Sequence, residues 1–166
     1  MLHLCLNSCM DETTADYQKV MAYVEAHPAA VVSTINDDGT PHSAVVYVFP
    51  ISHHTVCFVT RNLTHKYQNI FERPAVSLTI YDRHDLSTLQ ASGTAFIAND
   101  EHMLSYTLGK IDKMMEIRGD SISPIGKMQS SGDYVLVGIE LSKATLTMYQ
   151  GIDVNIDKPY EQISIG

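Results

Sequence analysis

The sequence predicts a mostly β fold with peripheral helices, in which six or seven short strands form a small barrel. Three observations predict it. β-branched and aromatic residues gather into short runs bounded by Gly, Pro, Asn and Asp, the composition of strands and their turns. The apolar spacing switches to that of a helix in only three places, over residues 13–26, 64–72 and 101–117. The length of 166 residues suits one domain that buries its core without disulfides or a structural metal.

The elements follow in order. Tyr17, Val20, Met21 and Val24 recur at three and four, with Thr13 or Thr14 to cap the helix and Pro28 to stop it. Ala29 to Thr34 is a β-branched run ending at Asn36-Asp37-Asp38-Gly39, whose Asp-Gly step favours a hairpin turn. The strands Pro41 to Phe49 and Thr55 to Thr60 complete a meander around Pro50, Ser52, His53 and His54. Tyr67, Ile70 and Phe71 then stripe a short helix that Pro74 ends, and Ala75 to Tyr81 is a fourth strand. Leu86 to Ile97 is a fifth, in which Gly93 marks a bulge or a close backbone approach. Asp100 caps the third helix, and Gly119, Ser123 and Pro124 break the chain into a loop. Tyr134 to Leu141 and Ala144 to Tyr149 read as two final strands. Residues 1–12 read as a flexible extension, 13–150 as the folded domain, and 151–166 as a tail that is either loose or an arm for a partner.

Composition narrows the function classes. A formal charge of -8 opposes nucleic acid and anionic membranes as partners, so an anion site must be a local basic pocket. Three cysteines, Cys5, Cys9 and Cys57, without zinc-like spacing fit a reduced, cytoplasmic setting. The opening ten residues lack Lys and Arg and resemble no signal peptide, and no apolar run is long enough to span a membrane. The eight histidines are scattered, the adjacent His53 and His54 are no metal pair, and no nucleophile-base set presents itself. No metal site and no catalytic residue is assigned. Met114, Met115, Ile111 and Ile117 read as a helix face against the barrel, with Lys110, Lys113 and Arg118 as solvated charges or substrate contacts beneath a loop at 118–130.

One segment concentrates anion donors. In Phe58-Val59-Thr60-Arg61-Asn62-Leu63-Thr64-His65-Lys66 a strand end runs into a helix start, bringing two hydroxyls, two cations and free backbone amides together. Spacing alone equally allows Thr64 to be a plain cap and Arg61 and Lys66 to be solvated charges.

This segment resembles the phosphate-binding segment of the pyridoxamine 5'-phosphate oxidase-like flavoproteins, and the hairpin Ala29 to Tyr47, with its Gly39-Thr40-Pro41 step, is similar to the family's opening hairpin. Thr60, Thr64 and Lys66 match the pattern, whereas His65 stands where the oxidases usually carry Arg, and Arg61 is placed to supply a guanidinium. The resemblance spans roughly residues 15–150. It implies a six- to seven-stranded antiparallel split β-barrel of Greek-key type, a homodimer with flavin mononucleotide (FMN) at its interface, and the backbone of Ala44, Val45, Val46 and Tyr47 along the flavin ring. It also implies flavin contacts from Thr88 and Gln90; Thr88 stands where the oxidases place a glutamine. The implied reaction is hydride or electron transfer between a nicotinamide nucleotide and a small compound. The chain has no Trp and lacks the Trp- and Arg-bearing C-terminal motif of true pyridoxamine 5'-phosphate oxidases, so it is more similar to the short general-stress-protein members. The other functions the resemblance allows are flavin binding without turnover, or haem or a deazaflavin on the same fold. A colourless interaction domain is the remaining alternative.

Overall fold

The computed structural model describes residues 15–118, 133–149 and 160–166. Cys5, Cys9, the loop expected over the flavin from residue 119 onward and the first part of the C-terminal tail lie outside the described residues. The elements run α1 (residues 15–26), β1 (Ala29–Ile35), β2 (Pro41–Pro50), β3 (Thr55–Arg61), α2 (His65–Glu72), β4 (Ala75–Asp82), β5 (Ser87–Ala98), α3 (Glu101–Arg118), β6 (Tyr134–Tyr149) and β7 (Tyr160–Ile165).

All pairings are antiparallel, in the order β3-β2-β1-β4-β5-β6-β7. β3 also pairs with β6, which closes β1 to β6 into a six-stranded barrel and leaves β7 as an extra strand on β6. Closure removes most exposed sheet edges.

Strict alternation in β4 sends Val76, Leu78 and Ile80 inward and Ser77, Thr79 and Tyr81 outward. The inward residues of the barrel share one core with Val20, Met21, Tyr23 and Val24 of α1, which closes the end where β1 begins and β4 finishes. Tyr23 hydrogen-bonds Ser87, and His27 Nδ1 lies 3.2 Å from Asp82, tying the helix to that end. β3 is buried on both faces: Val56 and Phe58 point inward, while Cys57 packs outward against Ile111 and Met115 of α3. An apolar run without alternation is what such a two-sided strand requires.

α2 closes the opposite end, where the inward positions turn polar. Buried Asn69 donates to Thr34 Oγ1 at 3.0 Å and to Asn36 Oδ1 at 2.9 Å, and Thr34 Oγ1 donates to the His42 carbonyl. Asn69 therefore fixes α2 to the β1–β2 hairpin. Asn69→Leu, close in shape, is expected to destabilise the protein by about 2 kcal/mol, because it strands buried Thr34 without its donor. A urea midpoint equal to wild type would show that this network does not hold the helix.

Two parts of the sequence reading are corrected. The expected pair of final strands is one 16-residue strand, β6. It bends at Ser142, an extra residue opposite the Ser92–Gly93 step of β5, whose hydroxyl donates to the Ser92 carbonyl at 3.2 Å. The bulge lets one strand serve two neighbours on the same edge, β3 along Tyr134 to Glu140 and β7 along Ala144 to Tyr149. Residues 160–165, read only as tail, form β7, with Ile163 and Ile165 buried. Gly93 stands at the close approach expected of it: a Cβ there would overlap the Glu140 carbonyl oxygen.

Candidate functional site

The barrel is split along one seam. β3 is registered on β2 only from Val48–Phe58 to Pro50–Val56, and residues 41–47 of β2 have no partner on that side among the described residues. The Val48 N–H donates to the Pro28 carbonyl, on the β1 side. By strand alternation, Ser43 and Val45 therefore direct their N–H and C=O groups away from β1, onto the open edge. Unpaired amides and carbonyls in a row can hold the polar edge of a planar heterocycle without any particular side chain.

The anion donors meet at the end of this seam. Thr60 Oγ1 lies 3.1 Å from Thr64 Oγ1, and Lys66 Nζ donates to Thr60 Oγ1 at 3.3 Å. Thr64 also caps α2, accepting from the Tyr67 N–H at 3.4 Å. The His65 and Lys66 amides, in the first turn, have no partner within the helix. Burial lowers the Lys66 pKa below the ordinary lysine value, since desolvation disfavours the charged form. No carboxylate among the described residues pairs with it, and a bound anion would restore the lost solvation.

The Arg61 guanidinium takes a different direction. Its Nη2 donates to the Tyr134 hydroxyl at 3.0 Å, and its Cζ lies 4.6 Å over the Tyr134 ring. Tyr134 opens β6 and is registered opposite Arg61, a proximity that only the β3–β6 closure creates. The His65 ring stacks on the His42 ring at 5.8 Å and 27°. Of the β2 residues assigned by resemblance, Val46 and Ala44 face inward. Val45 is 72% exposed, and Tyr47 packs beside the α3 cluster.

Thr88 and Gln90 do not join this cluster within one chain. They lie on the outer face of the sheet, where the register runs Val45–Val31–Thr79–Gln90. Three strand spacings put Gln90 about 14 Å from Val45.

Farther along β2, Phe49 floors a groove of about 320 Å³ between the end of α1 and α3, also lined by Pro28, Lys110 and Met114. Lys110 Nζ lies 2.6 Å from Glu25 Oε1, 4.9 Å from the Phe49 ring centroid and 5.6 Å from that of Tyr106. The sequence placed Lys110 only as a surface charge or substrate contact. Its cation–π setting depends on two elements packing together and has no local signal. No group of three metal-ligating side chains occurs among the described residues, and no described helix is long and apolar enough to cross a membrane.

A barrel opened along one seam, with two threonine hydroxyls and a lysine ammonium gathered at the seam's end, defines a split-barrel fold. The pyridoxamine 5'-phosphate oxidase family profile matches residues 17–147, and the chain belongs to that family. Among solved structures, general stress protein 26 from Bacillus anthracis is 18% identical, with a TM-score of 0.57 over 86% of this chain and 95% of that one. A pyridoxamine 5'-phosphate oxidase-related, FMN-binding protein from Nostoc punctiforme is 12% identical, with a TM-score of 0.52 over 96% and 95%. An F420 reductase is 19% identical, with a TM-score of 0.56 over 74% and 93%. No curated protein matches the sequence significantly.

Proposed function

We propose that this protein is an FMN-binding oxidoreductase that acts as a homodimer on a small organic compound, with a nicotinamide nucleotide as its electron donor. The observation that carries the reading is the half-buried Lys66 ammonium, held at the end of an open strand edge with two hydroxyls and no counter-charge among the described residues. Family membership and the FMN-binding relative agree with it.

FMN would supply the hydride or electron transfer. The chain's own residues bind and orient. Lys66, Thr60 and Thr64 hold the phosphate, and the Ser43 and Val45 backbone fixes the ring edge. Val45 keeps water from that edge. The groove over Phe49 offers a small molecule an apolar floor and the Lys110 ammonium.

Dimerisation supplies what one chain lacks. The outer row Val45, Val31, Thr79, Gln90, Thr145 and Ser164 crosses six strands without a charge, an unusual surface for a protein of net charge -8. A second copy laid on this face brings its Thr88 and Gln90 toward the open edge of the first.

The test combines absorption, light scattering and turnover. Wild type is expected to be a dimer that takes up about one FMN per chain, with a flavin spectrum bleached by NADH or NADPH. Val45→Glu places a charge in the uncharged row and is expected to yield monomers that bind FMN at least about tenfold more weakly, although the phosphate corner is intact. Flavin binding without bleaching would assign a non-catalytic role. A deazaflavin or Soret spectrum would assign the other ligands of this fold.

A further inference from the structure

We propose that the groove over Phe49 binds a planar aromatic monocarboxylate, with the ring on the phenylalanine floor and the carboxylate on Lys113. The inference deepens the functional reading above, on which it rests for the groove's role as the substrate site. Binding of the acid itself is measurable apart from flavin.

The apolar walls come from three parts of the chain. Pro28 follows the end of α1, Phe49 lies on β2, and Met114 and Ile117 lie on α3, all facing one space of about 320 Å³. That volume is at the small end for a ligand site and suits one or two fused rings better than a nucleotide. Ile117 is 79% exposed, so a ligand that covers it gains apolar burial. A flat ring laid on Phe49 also stacks, and it offers its π system to Lys110, whose Nζ already lies 4.9 Å from the Phe49 centroid. An aliphatic acid of similar size gains the burial without the ring contacts.

The charges fix the sign and the number. Three charged side chains line the groove: Glu25, Lys110 and Lys113. Lys110 donates to Glu25 Oε1 at 2.6 Å, so these two offset each other. Lys113, three residues along the same helix, has no ion-pair partner among the described residues. The carboxylates of α3, Glu101, Asp112 and Glu116, do not line the groove. One positive charge is therefore left over, in a chain of formal charge -8. A monoanion complements it. A dianion such as phosphate would bring a second negative charge against Glu25, which selects against it.

Calorimetric titration of 1-naphthoate, 1-naphthamide, cyclohexanecarboxylate and inorganic phosphate, with and without saturating FMN, tests the assignment. Naphthoate is expected to bind once per chain, about five- to tenfold tighter than naphthamide through the charge-assisted contact. It should exceed cyclohexanecarboxylate by about threefold or more through the ring contacts. Phosphate should not compete with it. Lys113→Gln, a change at an exposed position, should erase the preference for naphthoate over naphthamide. Glu25→Gln should tighten naphthoate about threefold and leave naphthamide unchanged, a gain that damage to the fold does not produce.

Equal affinities for naphthoate and naphthamide, or for naphthoate and cyclohexanecarboxylate, would overturn the ligand class. Loss of naphthoate binding in Lys66→Met but not in Lys113→Gln would place the carboxylate at the other cluster and overturn the site. No naphthoate binding by a protein that takes up FMN overturns the proposal while leaving the flavin reading intact. Charge-selective naphthoate binding by a protein that takes up no FMN upholds the groove as an acid site and removes the flavin reading, with the substrate role that rests on it.

Discussion

Lys66→Met is expected to weaken FMN binding by about 10- to 100-fold while changing riboflavin binding by less than about threefold. Only FMN carries the phosphate that the ammonium would contact, and a hydrogen bond to a charged group is worth about 1.5–3 kcal/mol. Arg61→Ala is expected to have the smaller effect on FMN, because the guanidinium is directed onto Tyr134. The same Lys66 substitution should stabilise the ligand-free protein. Burial lowers the Lys66 pKa in the fold, so the charged form destabilises the native state at pH values below that lowered pKa. The penalty shrinks as pH rises through the folded pKa and is gone above the ordinary lysine range. The Met variant should therefore melt higher than wild type at neutral pH, with the gap closing under alkaline conditions. Lower FMN affinity together with higher intrinsic stability is the pattern of a residue kept for binding. Equal losses for FMN and riboflavin would place the phosphate elsewhere.

Gly93→Ala is expected to destabilise the fold by about 3 kcal/mol or more, through overlap that the surroundings cannot relieve. A Cβ at Gly93 meets the Glu140 carbonyl and the Leu141 Cα, both backbone, at the bulge where β6 passes from β3 to β7. Moving that backbone disturbs the closure of the barrel. Gly138→Ala is the control. Its Cβ would also overlap a neighbour, but this is the ring of Phe96, which is 44% exposed and free to swing outward. Gly138→Ala should cost only about 1 kcal/mol. Urea denaturation of the two variants compares them directly, and a Gly93→Ala midpoint within error of wild type would falsify the tight backbone approach.

The sequence by itself determined the order and type of nearly every element through β5 and α3. Those signals are local: the Asp38-Gly39 turn, the alternation of Val76, Leu78 and Ile80, and the caps and stops around α2. It also determined the composition of the Lys66 cluster, because Thr60, Thr64 and Lys66 lie within one strand-to-helix junction where spacing controls proximity. The tertiary structure decided the rest. Ser142 and Lys143 look like a break between strands, yet β6 continues as a bent strand because β5 spans the bend and backbone pairing on both sides outweighs weak local propensity. Ile163 and Ile165 are a two-residue alternation that becomes a strand only when the β6 edge is there to receive it. The seam at Ser43 and Val45 is defined by the lack of a partner strand among the described residues, and no run of residues encodes a missing neighbour. Arg61 with Tyr134, His65 with His42, and Lys110 with Phe49 join residues far apart in the chain, so their chemistry exists only once the barrel has closed.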